Sequence, residues 1–186
     1  MTADAILKKP AGWFGKRLGN KLGTLRRVAR TAFDLRHENT EGVRELVTLV
    51  EHRYGHRETS LKGISLDRNG DPTPWYTYSA IDYLKQLDFS EKDVFEYGCG
   101  ASTLFWSVRA RSVTSVDDDE AWFARIARQV GPHRTVLLET ERERYIGAIQ
   151  KKSEGYDVIV IDGKHRLACA QVARRSLKPG GMIVVD

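Results

Sequence analysis

The run Asp93-Val-Phe-Glu-Tyr-Gly-Cys-Gly-Ala-Ser-Thr103 constrains the fold more than any other stretch of this chain. Its first residues read as a short buried strand, the Gly-x-Gly as a tight turn, and Ser102-Thr-Leu-Phe-Trp106 as the start of a helix. A strand, a glycine turn and a helix start in succession let backbone come close to a ligand. Glu96, two positions before the first glycine, disfavours a phosphate there and favours a cationic or hydroxyl-rich ligand.

From Asp93 onward the same rhythm repeats. The spacing predicts strands over Val94–Glu96, Val113–Val116, Thr135–Leu138, Asp157–Ile161 and Gly181–Val185. Between them, helices are expected over Ser102–Arg109, Glu120–Val130, Arg142–Lys152 and Arg166–Leu177. Short apolar runs alternating with amphipathic helices imply an α/β fold, a doubly wound, mainly parallel Rossmann-like sheet covered on both faces. Right-handed crossovers then gather the strand C-termini on one edge, where ligands bind.

Polar residues stand where that edge should be. Strand one ends in Glu96 and the glycine turn, and strand two ends in Asp117-Asp-Asp119. Asp117 follows Glu96 by 21 residues, an offset that suits a carboxylate accepting from a vicinal ribose diol. Strand three ends in Glu139-Thr-Glu141 and strand four in Asp162-Gly-Lys-His-Arg166, while Leu177-Lys-Pro-Gly-Gly181 precedes strand five, which ends in Asp186. Each signal alone is weak; their order and spacing are specific.

Before this domain, residues 1–37 carry nine Lys/Arg against Asp4 and Asp34, or +7, whereas the whole chain carries +5. The basicity therefore belongs to an N-terminal arm, where Phe14, Leu18, Leu22, Leu25, Ala29 and Phe33 recur at helical spacing between glycines. A helix with a solvated basic face is favoured over peripheral membrane contact through Trp13, Phe14 and the lysines. Nucleic acid is not expected, for no reading motif is present. Residues 38–92 form a lead-in: a helix over Glu41–Tyr54 with Thr40 as N-cap, a polar connector over Gly55–Pro74, and a helix over Ser79–Leu87. Trp75-Tyr-Thr-Tyr78 lies ahead of the first strand of the sheet, and both core packing and lining of a pocket are open to it. His52 and His56 sit four apart but lack a third ligand nearby, and Cys99 and Cys169 show no paired or metal-ligand spacing. No apolar run approaches membrane-spanning length and no secretory segment follows the start, so a soluble, cytoplasmic or membrane-peripheral protein is expected.

With these residues in view, the chain resembles the class I S-adenosylmethionine-dependent methyltransferases over about residues 75–186, with 93–186 as the cofactor-binding domain. Glu96-Tyr-Gly-Cys-Gly100 is similar to the family's acidic-x-Gly-x-Gly motif, and Asp117 to its acid after strand two. Tyr156-Asp-Val-Ile-Val-Ile-Asp-Gly163 and Leu177-Lys-Pro-Gly-Gly-Met-Ile-Val-Val-Asp186 match its fourth- and fifth-strand motifs. Ile161, Asp162, Gly163, Arg166 and Cys169 together look like an uncharacterised subgroup found beside sugar- and envelope-modifying enzymes. The resemblance implies S-adenosylmethionine as cofactor, bound through Glu96, Tyr97, Gly98, Gly100, Ser102, Thr103, Asp117, Asp118 and Asp162. Glu96 would face the methionine ammonium, Asp117 the ribose, Asp118 the adenine region and Asp162 the sulfonium methyl. Asp162 and His165 are the catalytic candidates, His165 as base toward a hydroxyl of a sugar or small-molecule acceptor. Asp162 and Asp186, ending neighbouring strands, are also positioned to share a divalent metal, a reading that needs a third ligand. Two departures stand out: Ser102 replaces the third glycine, at a helix start that serine can cap, and the sequence given stops where the family's sheet continues into a final antiparallel hairpin. A nicotinamide-dependent oxidoreductase and a non-catalytic cofactor-binding or interaction domain are the alternative readings; Glu96 and the two closely spaced glycines count against the first.

Overall fold

The structure, a computed structural model, describes residues 40–186; the basic arm and its membrane-contact reading lie outside the described residues. Helix α1 (Thr40–Thr48) runs on into a π-helical stretch over Leu49–Arg53. Its apolar residues are only partly covered among the described residues, with Leu46 59% and Val47 49% exposed. The connector is not all loop. Helix α2 (His56–Lys62) forms inside it, bounded by Gly55 and Gly63, both with positive φ. Composition hid this short helix because its ends, rather than its centre, carry the glycines. Helix α3 (Tyr78–Leu84) starts one residue earlier than the spacing suggested, because the Thr77 hydroxyl accepts from the Ala80 N–H.

Beyond it the predicted rhythm holds: β1 (Asp93–Tyr97), α4 (Ala101–Ser107), β2 (Ser112–Asp117), α5 (Glu120–Ala127), β3 (Arg134–Leu138), α6 (Arg142–Gly147), β4 (Tyr156–Ile161), α7 (Arg166–Ser176) and β5 (Leu177–Val185). A 3-10 turn over Ala148–Lys151 ends the α6 segment. All five strands pair in parallel in the order β3-β2-β1-β4-β5. The expected Pro-Gly-Gly turn is a register break within β5: Tyr156 pairs with Leu177 but Val158 pairs with Met182, and Gly180 takes a φ of 74°.

The two faces of the sheet bury different cores, as the period-2 alternation requires. Val94, Val113, Val158 and Val160 pack with Tyr76, Ile81, Leu84, Phe105 and Trp106 on one side. Phe95, Tyr97, Val116, Ile159 and Ile161 pack with Tyr145, Ile149, Cys169 and Ala173 on the other. Cys169 is buried on α7. At the opposite end from the glycine turn, the Asp93 carboxylate receives Arg111 at 2.7 Å, Lys152 at 2.7 Å and Lys178 at 2.8 Å. This network ties the start of β1 to β2, β4 and β5. Among the described residues no helix is long and apolar enough to cross a membrane.

Candidate functional site

The parity of β1 decides which of its side chains can serve a site. Val94 and Glu96 face the α3–α4 side, so Tyr97 faces the other. The expectation of Tyr97 as a cofactor contact holds for its backbone at most. Its ring lies fully inside the opposite core, and its hydroxyl donates to the Ile146 carbonyl at 2.6 Å.

Glu96 is fully buried, and its register partners are Ser115 on β2 and Val160 on β4. The Ser115 hydroxyl donates to Oε2 at 2.8 Å, and the Thr103 hydroxyl donates to the same oxygen. Thr103 in turn accepts from the Gly100 N–H at 3.0 Å, which fixes the start of α4. Ser102 is therefore not the cap that the sequence suggested; it is the second helical residue, and the stabilising hydroxyl belongs to Thr103. The other Glu96 oxygen, Oε1, is buried without a partner. Burial pushes this carboxyl up to about 7, while the hydroxyls of Ser102, Thr103 and Ser115 pull it back and Asp162 adds to the rise.

Gly98 takes a φ of 92°, and a Cβ there would stand 2.8 Å from the Asp162 carbonyl oxygen. Only glycine permits that crossing of β1 and β4 ends. The N–H of Gly98 reaches the Val116 carbonyl at 2.8 Å, and the N–H of Asp162 reaches the Tyr97 carbonyl at 3.0 Å. Asp117 closes the other flank, accepting from Cys99 N–H at 2.7 Å and Asp119 N–H at 2.9 Å. A carboxylate that holds two backbone N–H groups has acceptor capacity left. Burial first, and the Asp117 charge next, keep the Cys99 thiol protonated. Trp122, which sequence reasoning missed, donates its indole N–H to the Cys99 carbonyl and lies against Gly100.

On the strand-four side, burial and the neighbouring Asp186 push Asp162 up to about 6, with Arg166 opposing from 3.2 Å. Val160 pairs with Val184, and the Asp186 N–H donates to the Ile161 carbonyl at 3.3 Å, so Asp162 and Asp186 are neighbours as expected. No third metal-ligating group joins them among the described residues. Asp118 pairs with Lys164, an ion pair that bridges the loops after β2 and β4 over the end of β1. His165, with a φ of 55°, is exposed, and its ring packs edge-on against Tyr145 of the opposite core. It is not brought against Asp162, whose side-chain partner is Arg166 instead. His56 gives its Nδ1 to a 2.8 Å hydrogen bond with the Tyr78 hydroxyl rather than joining His52. Glu139 holds Lys151 at 2.8 Å.

A five-stranded parallel sheet in this order, with helices packed on both faces, is a doubly wound arrangement. The chain has a Rossmann-like α/β fold. No protein-family model and no curated protein matches it. Among solved structures, precorrin 8w decarboxylase from Methanobacterium thermoautotrophicum is similar at 20% identity with a TM-score of 0.50, over 66% of this chain and 68% of that one. An rRNA methylase from Streptococcus thermophilus reaches a TM-score of 0.48 at 14% identity, over 58% and 68%. A methyltransferase-like protein from Silicibacter pomeroyi reaches 0.43 at 21%, over 57% and 69%. At these identities the likeness is one of fold.

Proposed function

We propose that the protein binds S-adenosylmethionine and transfers its methyl group to an acceptor held beside Asp162. The observation that carries this reading is the buried, half-unpartnered Glu96 carboxylate beneath a glycine turn. An anion in that position is costly unless a cation joins it. The cofactor's methionine ammonium is such a cation, and a pyrophosphate is the opposite. Asp117, with lone pairs to spare, suits the ribose hydroxyls, and the narrow Gly98 crossing keeps backbone close to the ligand. Asp162 borders the methyl end. The cofactor supplies an electrophilic methyl carbon on a sulfonium; the protein supplies alignment and exclusion of water. His165 is packed edge-on against Tyr145, so the acid–base role is assigned to Asp162.

Isothermal titration with S-adenosylmethionine and with its demethylated product tests the reading. Binding in the micromolar range is expected for both, weakened at least tenfold by Glu96→Gln. Absence of binding to either molecule by the full chain would overturn it.

A further inference from the structure

The lead-in holds a cavity of about 300 Å³ that shares no lining residue with the strand ends described above. It lies between the π-helical stretch after α1, the tight turn closed by the Leu66–Pro72 bridge, and α3. That space is about ten times a water molecule's share of the liquid, room for a small organic molecule rather than for an ion alone. Tyr54 and Tyr78, stacked with ring centroids 4.1 Å apart and planes 12° apart, give it an aromatic wall.

Three cations and two carboxylates line the cavity: Arg53, Arg68 and Lys85 against Asp67 and Asp82. Both carboxylates are already engaged. Asp67 receives Lys85 at 3.1 Å and the N–H groups of Asn69 and Asp71 at 2.9 and 3.2 Å. Asp82 receives the Tyr54 hydroxyl at 2.8 Å and Arg53 at 3.2 Å. The exposed Arg68 guanidinium makes no ion pair or hydrogen bond among the described residues. Thr73 lines the same cavity at 4% exposure, and its hydroxyl is buried without a hydrogen-bond partner. A buried hydroxyl left unpaired is costly, and a ligand oxygen relieves that cost. The cavity has donors to spare and lacks acceptors.

We propose that this cavity binds a small organic monocarboxylate, its carboxylate accepting from the Thr73 hydroxyl and Arg68 and its body resting on the tyrosine wall. One negative charge matches the surplus of one cation in the lining. A dianion such as a phosphate monoester would leave excess negative charge beside Asp67 and Asp82. A guanidinium fits a carboxylate through two parallel hydrogen bonds, whereas a neutral amide of the same shape brings no charge to it. The inference does not depend on the methyl-transfer reading.

The test titrates the full chain, by ligand-observed NMR, with benzoate, with the isosteric neutral benzamide and with phenyl phosphate. Physiological ionic strength screens loose association with exposed basic residues. The wild-type protein is expected to bind benzoate at least tenfold more tightly than benzamide and threefold more tightly than phenyl phosphate. Thr73→Val keeps the shape of the side chain and removes the hydroxyl; ligand-free, it should melt no lower than wild type, and its benzoate affinity should fall threefold or more. Arg68→Gln, at an exposed position, leaves the core untouched and should lower benzoate affinity by a similar factor while sparing benzamide. Absence of benzoate binding by the wild-type protein, benzamide bound as tightly as benzoate, or an undiminished benzoate affinity in either variant overturns the proposal. Phenyl phosphate bound more tightly than benzoate overturns the monocarboxylate assignment.

Discussion

Glu96→Gln separates charge from shape at the centre of the site. Burial holds the Glu96 carboxyl at about 7, against an ordinary value of 4.5 that the unfolded chain recovers. Between those two values the folded protein keeps a proton that the unfolded chain has released. The group's contribution to stability is therefore full below about pH 4.5 and is lost as the pH rises through 7. At 1.36 kcal/mol per tenfold change in the acid constant, the loss is about 3 kcal/mol, most of it between pH 5 and 8. Glutamine resembles the protonated acid: its carbonyl can still accept from Thr103 and Ser115, and it carries no charge. In urea unfolding of the ligand-free protein, the variant should match wild type near pH 5 and exceed it by about 2–3 kcal/mol at pH 8. Asp162, pushed up to about 6, gives a slope of the same sign in both proteins and largely cancels. Asp93 and Asp157, whose carboxyls are depressed, act at acid pH outside this window. Affinity for S-adenosylmethionine should run the other way, rising in the wild-type protein from pH 6 to 8 as Glu96 ionises, and staying weak and flat in the variant. Identical stability–pH curves for the two proteins would refute the argument that burial of Glu96 sets its charge.

Gly98→Ala forces a Cβ to within 2.8 Å of the Asp162 carbonyl oxygen at a φ of 92°. The backbone strain alone costs about 1–3 kcal/mol, and both a lower urea midpoint and loss of cofactor binding are expected. Asp93→Ala leaves Arg111, Lys152 and Lys178 without their shared carboxylate. A cost of about 2–4 kcal/mol is expected by urea unfolding, less than for a fully buried pair because Arg111 is half exposed. Asp117→Asn weakens the hydrogen bonds that hold the Cys99 and Asp119 N–H groups and should cost about 1–2 kcal/mol. Asp118→Asn removes an ion pair to a Lys164 side chain 66% exposed and should change stability by less than about 1 kcal/mol in the same urea unfolding.

Much of the fold was legible in the linear sequence because its determinants are local. Alternating apolar runs over Val94–Glu96 and Asp157–Ile161, the glycine turn, and amphipathic stretches between them suffice to predict a parallel sheet and its ligand edge. The site was less legible. Glu96, Gly98, Asp117 and Asp162 could be marked because each ends a strand, and Ser115 was within reach because it sits in register with Glu96 on β2. Ser102 was misread as a cap because the hydroxyl one residue later competes for that role. His165 stood out as a base by chemistry alone, but whether a loop residue turns toward one face of a sheet or the other is fixed by the packing of α6 and α7.

Tyr76 marks the boundary between the two kinds of information. Its segment precedes β1, and no spacing rule relates it to Asp162 or Asp186. Only the docking of the lead-in against the sheet buries its ring in one core with the valines of β4 and β5. By itself the sequence determined the strand order's raw material and the acids along one edge, since period, turn chemistry and strand ends are properties of neighbouring residues. The tertiary structure alone decided how those acids are charged. Burial and mutual proximity set a carboxylate's ionisation, and both are properties of the packed chain.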